Sequence, residues 1–429
     1  MGIPTVGLVT PGFELDYENN SMQRGGGRVL PHVVIPAGSF TTDIETIRKA
    51  VSDAVVNSIV DALTKTIPEA GLRRAVEKPE ERTFRGTFQE INRHFYAKWW
   101  TDGLPIIPPT KEAVEEMLRG TDLPRDMELG VMEPRGGILT VETIAINAVM
   151  AGCLPIHMPI LIAGMKALLK VTYPVVTAST GSWSRCWVIN GPIRRDLNIN
   201  CRSGAVGPGW LTNSCIGRAL GLIVQNTGGA RPGVHDMGTL GHPGKYTTVI
   251  GENEEESPWT PLHVERGYNK EDSTITFSAP NSYIQFIATT PKDVLRELRT
   301  RIMHGPVWPG RVIALIPPEN ANEMAKAGWT KQDIRRFLFQ YTRIPKAKSP
   351  LQQMPRERWP KEFEALNDDD LLPVFQNERM IDIVVTGGPG RWIALLGPSV
   401  VDVVTEKIEL PSNWQELVEK YKGALMKEA

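Results

Sequence analysis

The order of apolar runs and helical patterns along the chain predicts an α/β protein. Residues 3–9 and 29–38 contain apolar runs, which predict two strands. Apolar residues recur at helical spacing over 42–65, and Thr42 or Asp43 is expected to cap this helix. Strand, loop, strand and long helix is the order of a parallel-sheet α/β unit.

The later part of the chain predicts a larger mixed unit. Buried helices are expected at 140–153 and 155–169, with Thr110 and the pair Thr290-Pro291 starting two others. Further strands are predicted at 186–192, 274–279, 283–290 and 311–318, and further helices at 211–229 and 330–345. The stretch "IDIVVTGGPGRWIALLGP" predicts a hairpin around Gly387–Gly390. No repeat with a period of 20–50 residues is visible.

A charged stretch, "EKPEERTFRG", lacks apolar periodicity and predicts a linker. The predicted domains are therefore a partial α/β unit over 1–76, a linker and leading helix over 77–94, and a large α+β domain over 95–429. The small unit is expected to be an incomplete parallel-sheet unit.

Composition narrows the classes of function. Lys and Arg number 48 and Asp and Glu number 49, so the charge balance does not indicate a nucleic-acid surface. The longest apolar stretch, "IHMPILIAGMKALL", is too short to span a membrane, and the N-terminus does not resemble a secretion signal. Four irregularly spaced cysteines form neither a disulfide framework nor a zinc pattern. We predict a cytoplasmic protein without nucleic-acid or membrane partners.

A glycine-rich stretch, "NGPIRRDLNINCRSGAVGPGW", precedes a predicted helix. Glycines allow a ligand to approach the backbone, and a helix N-terminus with nearby arginines suits an anion. The alternative is a tight turn with surface arginines. The candidate substrate-binding residues are Asn190, Arg194, Arg195, Gly207, Gly209 and Trp100. Trp100 is included because its Pro-rich neighbourhood suits a pocket wall. The alternative for Trp100, which we prefer, is interdomain packing.

A second stretch, residues 234–268, gathers histidines, a lysine and glutamates. In "GHPGKY", Gly and Pro hold the backbone of His242 and Lys245, which are candidate catalytic residues. His235, His263 and Glu254 are weak metal candidates, because the spacing of a known metal motif is missing. The alternative is a solvated acidic loop. The sequence does not indicate a particular cofactor. A metal-dependent site is the less favoured of the two hypotheses for this stretch.

Cys215 is the third candidate catalytic residue. It lies in the first turns of a predicted helix, where the helix dipole lowers the pKa of a thiol. The alternative is a small residue of the core.

Several stretches together resemble the UGSC-type (seleno)protein family, which is named for a selenocysteine- or cysteine-Gly-Ser-Cys motif. The resemblance covers about residues 95–345, and its stretches are "WTDGLPIIPPT", "PRGGILTVETIAINAVMAGCLP", "VINGPIRRDLNIN", "GAVGPG", "IGRALGLIVQNTGGARPG", "TLGHPGKYT", "ENEEESPWTPLHVERG" and "ENANEMAKAGWTKQDIRRFL". It implies thiol or selenol chemistry on a substrate that the family does not define. "TGSWSRC" resembles the motif only superficially.

The resemblance also implies that part of the family's small α/β domain is missing from this chain. The first strands of the small α/β domain, with the motif, have no counterpart here, so a smaller second subunit is expected to supply them together with the reactive Cys or Sec. The predicted function is the large subunit of a heteromeric lyase, transferase or reductive-cleavage enzyme acting on a small anionic or polar molecule. A metal-dependent hydrolase or lyase and a non-catalytic scaffold are the alternatives.

Overall fold

The computed structural model of the protein describes residues 4–15, 17–18, 21, 29–36, 42–64, 83–171, 179–304, 310–353 and 355–426. Two compact units are present, and the smaller comprises the described parts of Met1–Phe84, Pro232–His235 and Ile344–Leu372. The larger comprises the described parts of Arg85–Arg231, Asp236–Arg343 and Pro373–Ala429. Segments from the second half of the chain thus belong to the smaller unit.

The described elements are numbered along the chain. The strands β1 to β14 are Gly7–Val9, His32–Val34, Glu128–Met132, Gly137–Thr140, Cys186–Asn190, Val249–Gly251, Thr274–Ser278, Tyr283–Ile287, Arg311–Ile316, Arg343–Pro345, Leu371–Pro373, Ile381–Val385, Trp392–Ser399 and Val404–Lys407. The helices α1 to α14 are Ile44–Ala50, Asp53–Thr64, Phe88–Ala97, Lys111–Leu118, Val141–Ala151, Met158–Leu169, Ile193–Asp196, Leu211–Asn226, Leu262–Glu265, Pro291–Met303, Pro318–Lys326, Lys331–Tyr341, Lys361–Glu364 and Trp414–Leu425. The α/β class predicted from the sequence is confirmed.

The smaller unit begins as the sequence predicts, with β1 and β2 paired in parallel. The single helix predicted over 42–65 is wrong, because two helices, α1 and α2, occupy this stretch. The side chain of Asp43 caps α1 by accepting from the backbone N–H of Thr46 at 2.8 Å. The chain leaves helical geometry at Val51, where ψ is 70°, and a second helix then starts at Asp53. Residues 77–82 of the predicted linker lie outside the described residues.

The larger unit contains two four-stranded mixed sheets among the described residues. The first sheet has the order β6–β5–β7–β14 and the second has the order β12–β9–β13–β8. In each sheet the first pair of strands is parallel and the other pairs are antiparallel. The predicted hairpin around Gly387–Gly390 is wrong, because β9 lies between β12 and β13 and hydrogen-bonds to both.

Four layers build this unit. Trp187, Ile189 and Phe277 of the first sheet pack with the helix residues of α5, α6 and α8. One face of the second sheet packs in the same way with α10, α11 and α12. The remaining faces meet each other through Val188, Leu315 and other apolar residues. Because both faces of β5 and β12 are covered, all five residues of each strand are buried and apolar runs dominate them.

The two sheets are related as copies that exchange their last strand. β5, β6 and β7 lie in the first sheet, and the next strand of the chain, β8, lies in the second. β9, β12 and β13 lie in the second sheet, and the next strand, β14, lies in the first. A helix follows each exchanged strand, α10 after β8 and α14 after β14. This duplication has a longer period than the 20–50 residues at which the sequence shows no repeat.

The chain segments that carry the exchange touch each other. They are 279–282, with the sequence "APNS", and 397–399, with the sequence "GPS". The backbone N–H of Asn281 donates to the carbonyl of Pro398 at 3.0 Å, and that of Gly397 donates to the carbonyl of Ser282 at 3.1 Å. These bonds join the two halves at the point where their strands cross.

Candidate functional site

A cavity of about 680 Å³ lies between the two halves of the larger unit. Two glycine-rich loops line it, Ser203–Gly207 from the first half and Thr386–Gly390 from the second. The other contributors are the turn at His242–Gly244, strand residues of the second sheet, and Ser184, Thr247, Thr248, Pro280, Ser282 and Pro317. The cavity therefore depends on both copies of the duplicated fold.

Hydrogen bonds hold the second glycine-rich loop against the first half of the unit, next to the first loop. Thr386 donates its hydroxyl to the backbone carbonyl of Gly251 at 2.9 Å, and the backbone N–H of Gly387 donates to the carbonyl of Cys201 at 3.0 Å. A Cβ atom added at Gly388 would lie 1.9 Å from Oγ of Ser203. Only glycine at 388 permits this approach, so the sequence "TGGPG" serves the contact between loops rather than a hairpin.

The floor of the cavity is one face of the second sheet. Leu315, Ala394 and Gln285 stand side by side on β9, β13 and β8. Leu396 and Trp392, also on β13, lie on the same face and line the cavity with Tyr283. The indole of Trp392 is 60% exposed, so a flat apolar surface is open to a ligand at this floor.

His242 lines the cavity, as its proposed role requires. Its Nδ1 accepts from the backbone N–H of Gly244 at 2.9 Å, which leaves Nε2 as the nitrogen that carries hydrogen in the neutral ring. Burial and the charge of Lys245 lower the pKa of His242, and the backbone carbonyl of Asn281 offsets part of this. The neutral imidazole is thus the favoured form at neutral pH.

Lys245 does not line the cavity but anchors the turn that carries His242. Its Nζ donates to both carboxylate oxygens of Asp236 at 2.6 Å, and its backbone N–H donates to the carbonyl of His242 at 3.0 Å. Burial lowers the pKa of Lys245, while the bond and charge of Asp236 raise it and Arg185 lowers it further. The structure therefore places Lys245 behind the site, where it fixes His242.

The predicted anion-binding residues lie in a separate buried network. Arg194 is 3% exposed and pairs with Glu254 at 3.1 Å and Glu255 at 3.0 Å. The amide of Asn190 donates to Glu252 at 2.6 Å and to Glu254 at 3.0 Å. This network lies at the carboxyl ends of β5 and β6. Arg194 and Asn190 are bound there by glutamates and do not line the cavity.

The other predicted site residues are dispersed. Gly207 lines the cavity, whereas Gly209, with φ of 110°, and Arg195, whose side chain is 68% exposed, do not. Cys215 is 9% exposed, and burial raises the pKa of its thiol, with the charge of Arg218 acting in the opposite sense. The ring of Trp100 packs edge-on against Phe95, with centroids 5.3 Å apart, which is a packing contact and not a cavity wall.

Two of the three weak metal candidates come together. Nδ1 of His263 lies 4.0 Å from Glu254, while His235 belongs to the smaller unit. Over the described ranges, no group of three or more side chains is arranged to hold a metal ion.

Sequence reasoning missed most of the lining. Gln285 and Trp392 lie on strands, where their patterns indicate only sheet formation, and Ser203 and Thr386 lie in loops whose contact joins distant segments. The stretches "APNS" and "GPS", each with a proline and a serine, lie where the strands cross beside this cavity.

Comparisons of the chain with protein-family models, with curated proteins and with solved structures found no match. The resemblance to the UGSC-type family therefore stays a prediction. None of the helices in the described ranges is both long enough and apolar enough to cross a membrane.

Proposed function

We propose that the cavity is the substrate site of an enzyme that acts on a small polar molecule. The observation that carries the proposal is the position of His242, with one tautomer favoured by Gly244, in a cavity of about 680 Å³. Small-molecule sites have volumes of about 300–1,000 Å³ and combine apolar walls with a few polar groups. Here the polar groups include the hydroxyls of serine, threonine and Tyr283, the amide of Gln285 and the imidazole of His242.

His242 acts in this proposal as a neutral hydrogen-bond donor. With Nδ1 occupied by the N–H of Gly244, Nε2 carries the ring N–H. A substrate oxygen that gains negative charge would accept this N–H in place of the backbone carbonyl of Asn281. Protonation would place a second N–H at Nδ1, facing the N–H of Gly244, and would remove this hydrogen bond of the turn. The site is therefore expected to work above the lowered pKa of His242 and to fail as the pH falls through it.

A His242→Asn substitution tests this role. The Asn amide oxygen replaces Nδ1 as the acceptor for Gly244, while the Nε2 donor is lost, so turnover is expected to fall by about 10²–10³ with little change in thermal stability. The measurement is substrate consumption by the complex purified from its natural source, in a panel of uncharged polar compounds, followed by mass spectrometry across pH. Equal turnover by the variant and the wild type would remove His242 from the reaction.

The reactive thiol or selenol is proposed to come from a second, smaller subunit. The support lies in the smaller unit, where β1 and β2 pair only with each other among the described residues and neither α1 nor α2 has a buried residue. Leu8 on β1 is 57% exposed, and Val56 and Val60 on α2 are 44% and 50% exposed. Parallel strands are normally covered on both faces, so another chain would complete this sheet.

Affinity purification of the tagged chain from its natural source tests the second subunit. A smaller protein with a reactive Cys or Sec is expected in equal amount, and Leu8→Asp, which puts a charge on the exposed face of β1, is expected to release it. A matched Leu240→Asp variant, at a side chain that is 96% exposed in the larger unit, should retain it. A chain that purifies alone and is fully active would contradict the proposal.

A further inference from the structure

The residues that line the cavity, all within the described part of the chain, include neither Asp, Glu, Lys nor Arg. Arg391 and Lys245, two charged side chains near the cavity, already have partners. Arg391, which precedes Trp392, pairs with Glu319 at 2.8 Å and with Glu323 at 2.5 Å. Lys245 pairs with Asp236 at 2.6 Å. A charged ligand would leave water for a lining without an opposite charge, and such a transfer is costly.

The N-terminus of α11 is a feature near the cavity that favours an anion, since its N-cap residue, Pro317, lines the cavity. Glu319, in the first turn, already supplies a negative charge there. One of its carboxylate oxygens accepts from the backbone N–H of Gly390 at 3.3 Å, and the other accepts from Arg391. The positive end of the helix is therefore used by the protein itself.

Gln285 is one polar group of a mainly apolar floor, which also carries the hydroxyl of Tyr283. It stands beside Ala394 and Leu315, with Trp392 and Leu396 as diagonal neighbours on β13. Its carboxamide is exposed and carries both a donor and an acceptor. An amide of this kind pairs best with a ligand edge that also presents one donor and one acceptor. Beside it, the exposed indole of Trp392 offers a face on which a flat ring stacks.

We propose that the cavity selects an uncharged, flat molecule with an amide edge, whose ring lies on Trp392 and whose edge hydrogen-bonds to Gln285. This inference rests on the proposed function, because it names the substrate class of the same cavity. A carboxylate of the same shape is disfavoured, since it lacks the donor that the carbonyl of Gln285 needs and brings a charge that the lining does not balance.

Nicotinamide and nicotinate are matched probes, because they share a ring and differ in amide against carboxylate. Binding is read from the amide signals of the glycine-labelled full chain. Gly204, Gly207, Gly244, Gly387, Gly388 and Gly390 line the cavity, whereas Gly267 and Gly328 face open space elsewhere and serve as controls. Nicotinamide is expected to shift the lining signals and leave the controls, with an affinity about tenfold above that of nicotinate.

Two variants complete the experiment. Gln285→Leu is expected to reduce nicotinamide affinity about tenfold and nicotinate affinity by less, because nicotinate makes only one of the two hydrogen bonds. Trp392→Leu is expected to weaken both probes. Nicotinate binding as tightly as nicotinamide, insensitivity of nicotinamide to Gln285→Leu, or no shift by either probe would overturn the inference. The first two outcomes leave the cavity as a binding site, and turnover that depends on His242 is measured separately, so failure here is distinguishable from failure of the proposed function.

Discussion

Replacing Glu252 with alanine is expected to destabilise the larger unit by about 3–5 kcal/mol, because it leaves a buried ammonium without its main partner. Glu252 is fully buried and accepts from Asn190 at 2.6 Å, from the backbone N–H of Leu262 at 2.7 Å and from Nζ of Lys331 at 3.1 Å. The Lys331 side chain is 3% exposed, and its remaining partner is Glu265 at 3.4 Å. Denaturant unfolding at neutral pH measures the loss.

Two controls isolate the buried charge. The double variant Glu252→Ala with Lys331→Met is expected to recover much of the loss, because no uncompensated charge remains inside. Glu297→Ala removes a partner of Arg301 in a more exposed pair and is expected to cost about 0–1 kcal/mol. If Glu252→Ala costs no more than Glu297→Ala, the buried network does not hold this part of the fold.

Acid is expected to remove about 3 kcal/mol of stability through His157 alone. His157 is fully buried, and burial lowers its pKa to about 4. In the unfolded chain the pKa of a histidine is about 6.5, so between these values the unfolded state binds a proton that the folded state does not. This contribution is therefore complete above pH 6.5 and is lost progressively as the pH falls towards 4.

His157→Asn separates this contribution from other acid effects. Nδ1 of His157 accepts from the backbone N–H of Leu154 at 3.1 Å, and the Asn oxygen reproduces that acceptor without titrating. The unfolding free energy of the variant should depend less on pH between 6.5 and 4 than that of the wild type. An unchanged pH dependence would show that His157 is not kept neutral by the core.

Local features of the fold were predictable because their signals are local. The side chain of Thr110 caps α4, and Thr290 with Pro291 starts α10, as their sequences predict. Strand order was not predictable in the same way, because it depends on contacts between distant segments. β12 and β13 are neighbours in the chain with a turn sequence between them, yet β9 lies between them in the sheet.

The candidate site likewise has parts that the sequence predicts locally and parts that depend on contacts between distant segments. The Gly-Pro turn around His242 and the glycine at 207 were recognisable from composition, and the structure brings both to the cavity. The environment of Arg194 was not recognisable, because its partners Glu254 and Glu255 come from a different connection of the sheet. A sequence shows that an arginine is present beside glycines, but whether it meets a ligand or a carboxylate is decided by tertiary packing.

The exchanged strands also determine how the cavity can respond to a ligand. Opening it as two halves about a hinge would break the hydrogen bonds between Asn281 and Pro398 and between Ser282 and Gly397, and would pull β8 or β14 from its sheet. This topology therefore opposes the hinge-type domain closure that two-lobed binding proteins use. Ligands must fit a largely preformed space, and adjustment is confined to side chains and the two glycine-rich loops. For the proposed ligand, we therefore expect selection by shape rather than induced fit.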